Sequence, residues 1–399
     1  MIPFVVGLMT VSELKGYSGI MLVYGVFMGW LFLIYSLHNK LGPQKEVLIY
    51  FLWIAWSLGG LANAADKTLY FAQLTTVIQM GVLLFIISGI VAVNGNLPLL
   101  MTAVIIGGLI IAISGFYTGG FRQSGDLETQ SRMAGLTNNA NQFAYAVLFM
   151  FFGVFTLWGK NGKLALRIFL SAIAIFSVAG IILSGSRKGF LGLLMFIFLW
   201  WVFCKEKKLS KNPLKAYLIL SLLLAAVYFA FDYILSSTLL GERFEQIRSD
   251  TGNQIRIQLY KEGWQMIKNH PIAGVGLDNF RVLSSSGLYS HSDFMEVAST
   301  TGVIGFILYF SIYVFLWRRM KKIEKMTNSP DVLYSIGLIK AEIITILLTA
   351  FGRPNITSKT TWVFLAGVLG YTLFLERRLQ LAWQFAREKM KLSQRAASS

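Results

Sequence analysis

Charge is what this sequence has least of. Asp, Glu, Lys and Arg make up 14% of its 399 residues, where a soluble globular chain carries roughly 25%. Too little polar surface is left to coat a globule in water. Cysteine is rarer still: Cys204 stands alone, which excludes an internal disulfide and a cysteine cluster for a metal. Histidine occurs three times, as His38, His270 and His291. Acidic residues number 19 against 36 Lys and Arg. In a soluble protein the net charge of +17 would suggest nucleic acid. In an apolar chain, basic loop ends orient membrane helices instead, and no nucleic-acid partner is expected.

What is present is apolar length. The hydrophobic set supplies 55% of positions, and mean hydropathy is +0.61. A span needs about 20 mostly apolar residues. Such runs fall at 17–37, 47–65, 72–93, 98–116, 141–158, 165–184, 189–204, 216–236, 297–317, 332–351 and 361–376. They predict an all-α, polytopic integral membrane bundle of about 11–12 transmembrane helices, forming a single membrane domain over 1–399. Residues 1–11 are too few to span and lack the basic start of a signal peptide. They are expected either to lie in the interface or to follow an upstream helix.

Basic clusters set the orientation. Lys205-Glu206-Lys207-Lys208 and Arg318, Arg319, Lys321 and Lys322 read as cytoplasmic anchors, each one span away from the long polar segment 237–296. That segment is therefore an external loop inserted between spans, with short helices of its own. The tail 376–399 is cytoplasmic and basic, either an amphipathic helix on the inner leaflet or a solvated one.

Against this bias, Arg132, Arg187, Arg256 and Arg353 stand near external helix ends. Either they snorkel to lipid headgroups, or they gather round an anionic lipid-linked substrate, whose phosphate oxygens a guanidinium matches bidentately.

Four stretches add detail. The first runs from Ser131 to Phe143, where Asn138, Asn139 and Asn141 offer sugar-binding amides; an ordinary N-cap explains one of them. The second, Ser184-Gly185-Ser186-Arg187-Lys188-Gly189, is a tight turn between spans. It reads as a phosphate nest at a helix N-terminus, with Ser186 and Arg187 contributing, or as a plain hairpin.

The third is a helix over 253–269 that places Arg256, Tyr260 and Trp264 on one face, suited to a sugar, a phosphate or an interfacial anchor. It leads into Pro271-Ile272-Ala273-Gly274-Val275-Gly276, which lacks the strand and third glycine of a nucleotide fingerprint. The fourth puts His291 just before an external span, with Asp293 and Glu296 close by. A histidine there can serve as a base near neutral pH or simply cap the helix. No second metal ligand stands in register with it.

These stretches together resemble the O-antigen ligase and polymerase superfamily of bacterial membrane glycosyltransferases. The resemblance rests on Arg-x-x-Gly-Leu-x-Asn-Asn-x-Asn-x-Phe at 132–143, Ser-x-Ser-Arg-x-Gly at 184–189, and Arg256 with Trp264 downstream. It continues through Asn269 to Phe280 and through His291 to Glu296, followed by Gly302 and Gly305. Ser292 stands where the family more often has Asn. The matched region covers roughly 130–310.

The resemblance implies an inverting, metal-independent transfer of a glycan from undecaprenyl diphosphate, with no cofactor. The active site would lie on the periplasmic side of the bacterial inner membrane. The acceptor is lipid A–core in a ligase, the reading preferred here, and a second lipid-linked glycan in a polymerase. His291 would take the proton of the acceptor hydroxyl, while Arg187 and Arg256 bind the diphosphate. Arg132, Asn138, Asn139, Asn141, Ser186, Tyr260, Asp293 and Glu296 would line the substrate. Membrane lipids are the remaining partner. A lipid-linked oligosaccharide flippase is the alternative of another class, although only Asp232, Lys340 and Glu342 are candidates for a path through the membrane.

Overall fold

A computed structural model describes residues 1–10, 18–38, 44–117, 121–122, 132–137, 139–158, 163–204 and 251–398. The run 216–236, the first part of the external loop, Asn138, Asp232 and the basic cluster at 205–208 lie outside the described residues.

Among the described residues, every expected apolar run is a helix. Seven are long and apolar enough to cross a membrane. These are α3 (Lys45–Ser57) with the 3₁₀ turn Leu58–Asn63, α4 (Lys67–Asn94), α5 (Leu97–Tyr117), α6 (Ala140–Trp158), α7 (Leu164–Leu183), α11 (Asp293–Met326) and α12 (Pro330–Thr349). The runs at 17–37, 189–204 and 361–376 form α2 (Ser18–His38), α8 (Arg187–Phe203) and the first half of α13 (Lys359–Ser398). The chain is thus a multi-pass helical membrane bundle. Among the described residues, strand structure is limited to one short antiparallel ladder, Phe121–Arg122 with Met133 and Arg132.

The helices pair closely: α4 with α13, α5 with α6, α8 with α12, and α3 with α11. Lipid gives helices no hydrophobic reason to associate, so packing and hydrogen bonds hold them. Tyr50, Trp53, Tyr309 and Trp362 form a buried aromatic knot between α3, α11 and α13. At the opposite end of the bundle from the turn 184–186, Arg319 of α11 bonds Glu46 at 2.8 Å and Glu376 at 3.2 Å, tying α3, α11 and α13 together. Lys340 pairs with Glu324 at 2.5 Å, and Glu342 accepts from Thr156 at 3.4 Å.

One feature departs from the interfacial placement that the start of the sequence suggests. Helix α1 (Ile2–Thr10) packs inside the bundle against α5, with Val5 fully buried, instead of lying in the interface. The tail continues α13 as a helix, and Trp383 donates to the Met326 carbonyl at 3.0 Å.

One break in a helix shapes everything above it. Gly302 interrupts α11 with φ 70° and ψ −178°, a conformation an L side chain rarely adopts. The carbonyls that the break releases are taken by the Pro271–Gly276 loop. Val275 and Gly276 donate to the Ser299 and Thr300 carbonyls at 2.9 and 3.0 Å, and Val303 donates to Pro271 at 2.8 Å. Trp56 Nε1 takes the Thr301 carbonyl at 3.1 Å. Non-helical backbone at membrane depth is tolerated only where protein satisfies it. The glycine-rich motif is therefore a wedge that fills a broken helix. Asn279, just before the short helix α10 (Phe280–Leu283), extends the lock, bonding the backbone of Asp66 at the start of α4 through both its amide oxygen and nitrogen, at 2.7 and 3.1 Å.

Candidate functional site

A cavity of about 430 Å³ lies at the end of the bundle where α4, α6, α8, α11 and α13 begin and α1, α5 and α12 end. Helix N-termini carry unsatisfied N–H groups and the positive end of the dipole. Several of them meeting at one cavity prepare it for an anion. Lys188, Arg256, Arg353 and Lys359 line it, with Glu296 and Asp278 as its acidic members and Asn139, Asn141, Tyr289 and His291 among the polar ones.

The turn between α7 and α8 shows how the sequence builds this wall. Ser186 caps α8, accepting from Gly189 N at 3.2 Å, and its hydroxyl donates to Asn141 Oδ1 at 2.9 Å. Arg132 braces the same turn, donating from Nε to the Ser184 carbonyl at 3.0 Å and from Nη2 to Asn141 Oδ1 at 3.3 Å. Asn139 acts as the cap of α6, its Oδ1 accepting from Asn141 N at 2.9 Å and Gln142 N at 3.2 Å. Asn139 and Asn141 border the cavity, whereas Arg132 and Ser186 stand behind it.

Of the pair Arg187 and Lys188, it is Lys188 that lines the cavity. Consecutive helical residues point about 100° apart, so the cap at Ser186 lets only one of them face the cavity. That residue is Lys188, whose ammonium also donates to the Gly352 carbonyl. Arg187, half-buried, contributes charge beside it, not lining.

Helix α9 (Thr251–Asn269) presents Arg256 to the cavity. One turn on, the Tyr260 hydroxyl donates to the Phe351 carbonyl at 2.8 Å and pins α9 to the α12–α13 connection. Trp264 is 55% exposed and plays no part in the lining.

His291 adopts φ 57°, outside the usual range for a non-glycine residue, and the hydrogen bonds around it enforce that conformation. The Glu296 carboxylate accepts Ser290 N–H at 2.9 Å, and Ser290 Oγ donates to the Ser292 carbonyl at 2.8 Å. Glu296 thus orients the histidine through the backbone rather than by bonding the ring. The imidazole lies against Tyr289, ring centres 4.4 Å apart. Burial, then the charges of Lys188 and Arg256, lower its pKa to about 4. The ring is neutral at pH 7, with a lone pair to accept a proton.

Asp293, expected near the substrate, is turned the other way. Its carboxylate is buried and accepts from the backbone of Asn355 and Ile356 and from Tyr309 Oη. Arg353, named in the sequence only as an external arginine, reaches the cavity. Its guanidinium lies 4.5 Å over the Tyr145 ring and donates to Ser358 Oγ at 3.3 Å. Tyr289, Lys188 and Lys359 are among the other lining groups the motifs do not single out. Lys188 was visible as the neighbour of Arg187, while Tyr289 carried no signal of its own.

Residues 171–310 match a family model described as O-antigen ligase, which bears out the resemblance read from the motifs. The match takes in Lys188, Arg256 and His291 and stops short of Arg353. No curated protein matches the chain. A solved structure titled "Structural coordination of polymerization and crosslinking by a peptidoglycan synthase complex" is 16% identical, with a TM-score of 0.46 over 85% of this chain and 99% of that one.

Proposed function

From a central region that matches the O-antigen ligase family, we propose a membrane glycosyltransferase that moves a glycan from undecaprenyl diphosphate to a sugar hydroxyl of lipid A–core. One observation carries the reading: Arg256 and His291 line a single cavity with Lys188, at an end of the bundle where helix N-termini gather.

The acceptor oxygen attacks the anomeric carbon from the face opposite the diphosphate, which inverts that centre. The anomeric C–O bond breaks, and its electron pair leaves on the diphosphate oxygen. The hydroxyl proton passes to His291. Lys188 and Arg256 stabilise the charge that develops on the leaving group, in a setting where such contacts are worth more than in water. In the free cavity His291 is a weak base, because burial and then those same cations oppose its protonation. A bound diphosphate offsets them and raises its basicity when the donor is present.

Charge supports a membrane side. The opposite end of the bundle carries Arg318, Arg319, Lys321 and Lys322, the pattern of a cytoplasmic face, which supports a periplasmic cavity.

Glycan transfer by His291→Ala and Arg256→Ala proteins tests the reading. Each is expected to lose about two to three orders of magnitude in rate; near-normal transfer by both removes it. Expression in a strain lacking the ligase is expected to restore attachment to core. Longer free chains in a polymerase-deficient strain, without attachment, would assign the polymerase instead.

A further inference from the structure

Arg353 sits in the connection between α12 and α13, outside the region that matches the family, and the reaction above does not use it. Its surroundings are nonetheless built. Tyr145 covers one face of the guanidinium, and Ser358 accepts from Nη2.

The backbone is held on both sides of Arg353. On one side the Gly352 carbonyl takes the Lys188 ammonium. On the other, Asn355 and Ile356 give their N–H groups to buried Asp293, whose own N–H donates to the Ala350 carbonyl at 2.8 Å. Committing a buried carboxylate inside a membrane bundle is costly, and a plain turn between two spans has no need of it. The expenditure fixes one cation in a cavity that Lys188, Arg256 and Lys359 also line.

The chemistry gives such a fixed cation a task. A glycosyl diphosphate carries one negative charge on each phosphate. When the anomeric bond breaks, the departing diphosphate gains one more. Resting on the transferase reading, we propose that Arg353 binds the diphosphate and meets the charge that appears as the glycan leaves. Undecaprenyl diphosphate, the product, then depends on Arg353 more than undecaprenyl monophosphate does.

The test uses the full chain in phosphatidylcholine nanodiscs, with and without phosphatidylglycerol, and measures binding of labelled undecaprenyl diphosphate and monophosphate. Arg353→Gln is expected to weaken diphosphate binding about ten- to a hundredfold, the usual range for one lost charge-assisted bond, with a smaller effect on monophosphate. Arg353→Lys, which keeps the charge, is expected to recover part of the affinity. Unchanged binding by Arg353→Gln beside a loss in Arg256→Gln overturns this inference and leaves the transferase reading standing. Unchanged binding by both variants overturns the transferase reading as well. A loss seen only in discs containing phosphatidylglycerol assigns Arg353 to lipid headgroups and overturns the proposal. Should Arg353→Gln fail to fold, Arg353→Lys decides: affinity near wild type supports a charge role, and affinity lost in a folded protein contradicts it.

Discussion

The Asp293 carboxylate accepts the backbone N–H groups of Asn355 and Ile356 at 2.7 and 3.0 Å, joining the first turn of α11 to the connection that carries Arg353. His291 lies two residues before Asp293. One buried carboxylate therefore sets the relation between the candidate base and a cationic wall of the cavity.

Replacing Asp293 by alanine leaves the Asn355 and Ile356 N–H groups and the Tyr309 hydroxyl without their acceptor. An unsatisfied buried donor costs about 1–3 kcal/mol, so Asp293→Ala is expected to lower the melting temperature in detergent and to reduce transfer. Asp293→Asn, which keeps an acceptor oxygen, is expected to lose less. A wild-type melting curve for Asp293→Ala would show that the brace is dispensable.

The broken helix makes a sharper prediction. A Cβ on Gly302 would come within 2.0 Å of the Ile272 carbonyl oxygen, whereas one on Gly287 meets nothing within 4 Å. Both glycines have positive φ, 70° and 67°. Gly287→Ala is expected to cost only the left-handed backbone penalty, about 1–2 kcal/mol, while Gly302→Ala should displace the Pro271–Gly276 wedge and impair folding. Yield of monodisperse protein and thermal unfolding compare the two.

The acid limb of the rate profile reports His291. Only the neutral ring can accept a proton, so transfer falls as pH drops through its pKa. With that pKa held to about 4, kcat/KM is expected not to fall between pH 7 and 5. An unperturbed histidine would halve it near pH 6.5. Lys188→Gln removes a charge that opposes protonation, so its limb should move to higher pH, alongside a lower maximal rate. A limb that stays in place would show that the Lys188 charge does not act on the base.

Position on α9 separates two aromatic residues that the sequence placed on one face. Trp264 is exposed and Tyr260 is bonded to Phe351. Trp264→Ala is expected to leave transfer within about twofold, as for most surface changes, whereas Tyr260→Phe loosens the tie between α9 and the α12–α13 connection. A donor-binding assay on both variants checks this.

The spans were legible because a bilayer demands long apolar runs, and those runs need no tertiary information to be seen. Helix α1 was not, since nine residues are too short for that signal and its burial depends on close contact with Gly107. Gly274, Gly276 and Gly302 were visible as motif glycines, but the wedge they form joins segments that only the fold brings together. In the site, Arg256 and His291 could be read from their motifs. Arg187 could not be told from Lys188, because the choice turns on where Ser186 begins the helix. Asp293 drew attention as a neighbour of His291 in sequence, yet the first turn of α11 sends its side chain inward, away from the cavity.

A structure of the protein with undecaprenyl diphosphate bound tests the central claim most directly. The account predicts phosphate oxygens about 3 Å from both Arg256 and Lys188, with the His291 ring facing the acceptor side of the same cavity. A diphosphate seated elsewhere, for instance at the opposite end near Arg318 and Lys322, would contradict it.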